Sequence, residues 1–408
     1  MNRRKILIFT ASPLCRNPRV VKEATTLGSN GYDTIVLTVA FSDRFEQIDR
    51  ELIAPLPFRR VVLDCLGRGP ASRIRRFRVR SITWLARALL HYLRVETAAA
   101  LGPARSLLAM ARAIPADLTI LHTEIPLWAA RPLVGRGRRV AVDFEDWYSE
   151  DLLESDRRAR PRRLLRKDEA FALHRAAYTT ATSESMAAAL AAAHGGMRPI
   201  VVRNVFPLQP RSRLERPQGN EPPSIAWFSQ TIGPGRGLES FFAAWSRSQR
   251  PSQVFLLGDE RPGYREQLLT SVPPDRRSRI LFQPFVAPDK LPEVLAGFDI
   301  GLALEPTSPP NRDVTISNKI FQYMNAGLAV IATSTAGQRE VLATAPGCGL
   351  LVEKDDPAQF ASQLDTLLGN TERLRACQNA ARAAAATELC WEKESARFLQ
   401  AVAEALNV

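Results

Sequence analysis

With 408 residues, the chain is about two to three times the usual domain size, so two domains are expected. Its 45% apolar and 24% charged residues exclude a disordered, collagen-like or coiled-coil protein. The formal net charge of +13 lies wholly in the first half: residues 1–204 carry 34 Lys and Arg against 20 Asp and Glu, a balance of +14, and residues 205–408 carry 21 against 22, or −1.

The opening MNRRKILIFTAS has too few strongly apolar residues for a signal segment, and no run of 18 apolar residues occurs, so no membrane span is expected. Short aliphatic runs then alternate with amphipathic stretches, the pattern of parallel strands with crossover helices. In the first half the expected strands are Lys5 to Thr10, Thr34 to Val39, Arg60 to Asp64, Leu118 to His122, Val140 to Phe144, Tyr178 to Ala181 and Ile200 to Val202. A first helix is expected from Asn17-Pro18, a capping residue followed by proline at the first helical position, to Gly31. From Leu66 to Pro115 ten arginines face one acid, Glu96. Within this segment Ile82, Leu85, Ala86, Leu89, Leu90 and Leu93 fall on one helical stripe, with Arg80, Arg87 and Arg94 across from it. Such a helix either covers the domain core or docks on an anionic membrane surface.

Residues 209 to 223, QPRSRLERPQGNEPP, carry four prolines and almost no apolar residue, which is linker chemistry. A second series of strands follows: Ile225 to Phe228, Val254 to Leu257, Ile280 to Phe282, Ile300 to Leu304, Ala329 to Ala332 and Gly349 to Val352. The expected organisation is an N-terminal domain over 1–205 with its basic helical segment at 66–115, a linker over 206–223, a C-terminal domain over 224–390 and a last helix over 391–408.

Ligands of open α/β sheets bind outside the carboxyl ends of the strands, so the loops after strands are searched for chemistry. Ser229 to Gly237, SQTIGPGRG, has three glycines ahead of a helix opening at Leu238-Glu239, and Arg236 adds a fixed cation; it reads as a diphosphate cradle. A long loop from Glu305 to Ser317 leads into a helix with Ser317 as N-cap, placing Asn318 and Lys319 in its first turn. A lysine beside the positive end of a helix dipole points to an anion between them. In the first half, the strand end Asp143-Phe144-Glu145-Asp146 offers carboxylates for acid, base or electrostatic work, against a structural role in capping the helix after Trp147. His122, in LHTEIPL, is either a cleft residue or strand-end packing; His91, His174 and His194 read as structural or solvent-facing. No His, Cys and Asp cluster has zinc spacing, and Asp143 to Asp146 is not a DxD motif. The five cysteines, Cys15, Cys65, Cys348, Cys377 and Cys390, are too scattered for a disulfide framework and fit a reducing cytoplasm.

The stretch NKIFQYMNAGLAVIATSTAGQREVL, with SQTIGPGRGLE, LLGDE at Leu256 to Glu260 and LPEVLAGFDIGLALEP at Leu291 to Pro306, resembles the nucleotide-sugar-binding domain of family 4 glycosyltransferases. RNPRVVKEATTLGSNGYDTIVLT at Arg16 to Thr38, VAVDFEDWYSEDL at Val140 to Leu152, and TTATSESMAAAL followed by PIVVRNVFP are similar to that family's acceptor domain. The resemblance spans nearly the whole chain except Arg68 to Ala116. It implies the α/β GT-B architecture, two Rossmann-like doubly wound domains facing a cleft, with the last helix crossing back to the first domain.

It further implies an enzyme that moves a sugar from a UDP- or GDP-linked donor to a glycan or lipid-linked acceptor in polysaccharide biosynthesis, with retention of configuration. Arg236 and Lys319 would neutralise the donor diphosphate without a metal or other cofactor. Ser229, Gln230, Thr231 and Gly233 would wrap the phosphates, Gly258 and Phe285 would flank the base, and Glu305, Asn318 and Gln322 would approach sugar and ribose. Glu145 would act in catalysis, with Ser12, Asn17, His122 and Asp146 on the acceptor side. Where the family often carries two glutamates eight positions apart, this chain has Val314 and Gln322, which raises the alternative of a catalytically silent homologue serving as a nucleotide-sugar-binding or accessory subunit. The expected place is the cytoplasm, peripheral on the inner face of the membrane, with the basic segment against anionic lipid; nucleic acid is not expected as a partner.

Overall fold

The computed structural model describes residues 3–154, 156–210, 222–353 and 355–407. Two compact units emerge, one of Met1–Val202 with Ser395–Val408, the other of Arg203–Glu394. Of the expected linker 206–223, residues 211–221 lie outside the described residues.

The first unit is a seven-stranded parallel sheet: β1 (Lys5–Thr10), β2 (Asp33–Ala40), β3 (Arg59–Asp64), β4 (Leu118–His122), β5 (Val140–Phe144), β6 (Thr179–Ala181) and β7 (Ile200–Val201). Its order is β3-β2-β1-β4-β5-β6-β7. Strands buried on both faces read as near-continuous apolar runs, and ILIF in β1, IVL in β2 and VAV in β5 supply them. The helix Pro18–Ser29 starts on proline, and Asn17 caps it by accepting from the Val20 amide at 3.2 Å. From Ser395 onward the helix Trp391–Asn407 belongs to this unit, where Arg139 donates to the Ala405 carbonyl at 2.5 Å.

The second unit has six parallel strands: β8 (Ser224–Ile232), β9 (Gln253–Glu260), β10 (Ile280–Gln283), β11 (Ile300–Ala303), β12 (Ala329–Thr333) and β13 (Gly349–Val352), in the order β10-β9-β8-β11-β12-β13. Trp227, Phe241, Phe242, Trp245 and Phe360 fill the core on one face. In both units the strand order reverses beside the first strand, between β1 and β4 and between β8 and β11. These are the switch points at which doubly wound sheets hold ligands.

Three expectations are corrected. Ser229 to Ile232 are not loop but a prolongation of β8, which continues past a bulge between Phe228 and Thr231 to pair Thr231 with Asp259. The stretch 305–317 contains a short helix, Pro310–Val314. The arginine-rich helix, Pro70–Leu93, does not bury the stripe read from its sequence: Ile82, Leu85 and Leu93 are exposed, while Ala86 and Leu90 are covered by Ala99 and Ala100.

Candidate active site

In the second unit the site grows from two close approaches. Gly301 on β11 has no room for a side chain, since a Cβ there would lie 2.1 Å from the Tyr323 ring. The ring packs flat on the strand, and its hydroxyl donates to the Leu302 carbonyl at 3.2 Å, fixing the helix Asn318–Ala326 against β11. Gly237, in the left-handed region at φ 79°, brings the turn after β8 equally close, because a Cβ there would lie 2.6 Å from Leu304 Cβ. The glycine turn of residues 233–237 therefore meets the carboxyl end of β11 at the switch point, next to Glu305.

Glu305 is the hub of this corner. Its backbone N–H donates to Thr333 Oγ1 at 2.8 Å, and its carboxylate accepts from Ser317 Oγ at 2.9 Å and Lys319 Nζ at 3.2 Å, with Arg312 at 3.4 Å. Burial alone would raise the Glu305 pKa, but the charges of Lys319 and Arg312 and the hydrogen bonds from Ser317 and Lys319 hold it below its ordinary value. The anion that the first-turn lysine called for is thus, within the chain itself, Glu305. Ser317 is correspondingly not a side-chain cap: it precedes the helix but spends its hydroxyl on Glu305. Lys319 Nζ also lies 5.8 Å from the centre of the Trp227 ring.

Arg236, Gln230, Thr231 and Asn318 are exposed, Ser229 and Gln322 are half-buried, Gly233 and Gly258 are buried, and Phe285 is exposed beyond β10. Asn318 accepts from Asn204 at 3.0 Å. The structure thus pairs Glu305 with Lys319 and sets the glycine turn that carries Arg236 against Leu304 at the same switch point, and places Phe285 beyond the far edge strand of the same sheet. Val314 is buried and apolar, with no chemistry to offer.

In the first unit the carboxyl ends of β1, β4 and β5 carry a buried charge network. Arg19 donates to Asp143 through Nε at 2.9 and 3.0 Å and through Nη2 at 2.7 Å, and to the Val202 carbonyl at 2.7 Å. His122, with no exposed surface, bridges two carboxylates: Nε2 lies 3.1 Å from Glu23 and Nδ1 2.9 Å from Glu145. Burial alone would lower the His122 pKa; the carboxylates of Glu23 and Asp143 and hydrogen bonds with Glu145 and Glu23 outweigh it and push it up to about 10. The ring hydrogen-bonds Glu145 through Nδ1, while its Nε2 side faces the Glu23 carboxylate as a charge contact. Glu145 Oε1 accepts from this ring and, at 2.8 Å, from Asn17 Nδ2, so one oxygen is pinned by two donors.

Glu145 and Asp146 line a cavity of about 700 Å³ together with Ser12, Thr123, Phe41 and the helix residues Arg80, Thr83, Trp84 and Arg87. Thr123, directly after β4, has φ 70°, an uncommon conformation for a β-branched residue, and is held there by the Ala11 amide and the Tyr148 hydroxyl. Of the residues expected on the acceptor side, Ser12 and Asp146 face this cavity, whereas His122 and Asn17 sit beneath it: the reading of His122 as a cleft residue is corrected to a buried partner of Glu145. Arg19 and Glu23 were missed. Their i, i+4 spacing on the first helix carries no sign of burial in the sequence; the fold buries both beside Asp143.

Glu23, His122 and Asp143 are, among the described residues, the only trio close enough to share a metal ion. Arg19 already fills the place a cation would take.

Two doubly wound units, each with its polar residues gathered at the switch point, define the GT-B class. Residues 222–370, within the second unit, match the family of glycosyl transferases group 1, and the resemblance read from the sequence is borne out. No curated protein matches the sequence. The fold is shared along the chain with HepE from Anabaena in complex with UDP and glucose, at a TM-score of 0.68 and 18% identity over 98% of this chain and 100% of that one. Sucrose-phosphate synthase from Thermosynechococcus elongatus gives 0.70 and 14% over 99% and 100%. The UDP-forming trehalose-phosphate synthase from Burkholderia vietnamiensis gives 0.63 and 13% over 99% and 100%.

Proposed function

We propose that the chain transfers a glycosyl group from a UDP- or GDP-linked sugar to a glycan or lipid-linked acceptor, with retention of configuration and without a metal. The observation that carries this reading is the meeting of the glycine turn, Lys319 and Glu305 at the β8–β11 switch point. Arg236 and Lys319 there oppose the negative charge that grows on the leaving diphosphate, a form of stabilisation that is usually the largest catalytic contribution. That HepE carries the same fold and binds UDP and glucose supports a uridine diphosphate sugar as donor. Glu145, held by His122 and Asn17, serves the acceptor side.

The reading extends to a peripheral place on an anionic membrane surface. Among the described residues no helix is long and apolar enough to cross a membrane. The helix Pro70–Leu93, however, leaves Ile74, Phe77, Trp84, Leu85 and Tyr92 exposed, flanked by Arg73, Arg78 and Arg80, the composition of an interfacial helix that anionic lipid complements.

Incubation of the purified protein with a panel of UDP- and GDP-sugars tests the activity. Release of the nucleoside diphosphate from one donor, undiminished by EDTA, is the expected result. Tight nucleotide binding without any cleavage or transfer would instead establish the silent, accessory reading that Val314 and Gln322 raise.

A further inference from the structure

We infer that the cavity of the first unit is built for an anionic amphiphile, a phosphate carried on an alkyl chain, and so that the acceptor is lipid-phosphate-linked; this rests on the transferase reading and narrows its acceptor. The cavity has two unlike walls. On the sheet wall Glu124 and Asp151 are paired with Arg160, and Glu145 with the His122 ring. On the helix wall stand Arg80 and Arg87. Arg87 uses its Nε on the Ala100 carbonyl at 3.0 Å, and Arg80 is exposed and has no acidic partner among the described residues. An arginine that lines a cavity and is not itself paired with a carboxylate is suited to a phosphate, which its planar fork can bind through two parallel hydrogen bonds.

The apolar part follows from helix geometry. Arg73, Phe77, Arg80, Trp84, Arg87 and His91 recur at spacings of four and three residues and share one face. Cations and aromatics therefore alternate along it, and Phe77 and Trp84 are each 71% exposed. Trp84 belongs both to this open face and to the cavity lining. A ligand with its phosphate at Arg80 can lay a chain along Trp84 and Phe77 while its polar end reaches the carboxylate wall, where the second oxygen of Glu145 is open to a sugar hydroxyl. Thr123, strained at the junction of the walls, is the kind of backbone outlier that accompanies binding sites.

The test titrates the full chain with dodecyl phosphate below its critical micelle concentration, beside inorganic phosphate, dodecyl maltoside and UDP. Dodecyl phosphate is expected to bind roughly tenfold or more tighter than inorganic phosphate, and Arg80→Gln to weaken it about tenfold without changing dodecyl maltoside binding. Arg136→Gln, which removes an exposed charge away from the cavity, should leave binding within about twofold. Equal losses in Arg80→Gln and Arg136→Gln, or inorganic phosphate binding as tightly as dodecyl phosphate, would overturn the inference. UDP reads the second unit separately. A chain that binds UDP but not dodecyl phosphate refutes this inference alone, and one that binds dodecyl phosphate but ignores UDP keeps the cavity and refutes the transferase reading.

Discussion

Replacing Lys319 by alanine removes two things at once, a cation for the donor diphosphate and the partner of Glu305, and the structure says how to separate them. Lys319 and Glu305 are each 12% exposed in their side chains. Breaking a fully buried ion pair costs about 3–5 kcal/mol because the surviving charge is left uncompensated. Here Ser317 and Arg312 remain on Glu305, so a loss of about 1–3 kcal/mol in folding stability is expected. Nucleoside diphosphate binding should fall independently by about 1.5–3 kcal/mol, or roughly 10- to 150-fold in Kd, the range for hydrogen bonds to charged groups. The double variant Lys319→Ala/Glu305→Gln relieves the stranded carboxylate, so the thermal midpoint should recover while binding stays weak. Calorimetric titration with UDP and GDP, alongside thermal unfolding, reads both quantities, and uridine or guanosine should scarcely notice either change. Recovery of nucleotide affinity in the double variant would refute the reasoning, since Lys319 would then act only by holding Glu305.

Glu145→Gln keeps the shape of the side chain and removes its charge; turnover should drop about 10²-fold or more with UDP affinity little changed, and unaltered turnover would return Glu145 to a structural role. His122 is pushed up to about 10 in the folded chain against about 6.5 when unfolded. The stability it contributes is complete below pH ~6.5 and is lost as pH rises toward 10. The difference in urea stability between the native chain and His122→Gln, on the order of a few kcal/mol at neutral pH, should therefore shrink over that window, and a difference that holds or grows contradicts the assignment. Sedimentation with anionic vesicles should fall steeply with salt and be abolished by Gln at Arg73, Arg78, Arg80 and Arg94, which are exposed. Arg75 and Arg76 are poorer choices, since they are bonded to the Asp64 and Leu66 carbonyls. Binding indifferent to both salt and these changes removes the membrane role.

The strands were legible because a parallel sheet covered on both faces demands apolar runs, and β1, β4, β5 and β13 fall where those runs lie. Polar strand ends carry no such mark: Ser229, Gln230 and Thr231 look like loop, yet β8 runs through them by pairing across a bulge with β9. The Pro310–Val314 helix did have a signal, proline at the first helical position, that the surrounding prolines obscured. Arg236 was legible as a cation in a glycine-rich turn and Lys319 as one in a helix's first turn, whereas the tie between Lys319 and Glu305 joins residues whose contact only the tertiary fold creates. The role of the Pro70–Leu93 helix stayed open in the sequence because periodicity defines a stripe without saying what covers it. Ala86 and Leu90 pack against the short turn at Ala98–Ala100, leaving the larger side chains outside.

Whether Arg236 and Lys319 hold one diphosphate is decided by a crystal structure of the complex with UDP or GDP, whichever binds more tightly. Guanidinium and ammonium nitrogens are expected within about 3.2 Å of the diphosphate oxygens, with the glycine turn of residues 233–237 against the phosphates and no metal ion between. A diphosphate bound away from the β8–β11 switch point, side chains of Arg236 and Lys319 that point to different places, or a divalent ion carrying the phosphates would contradict it.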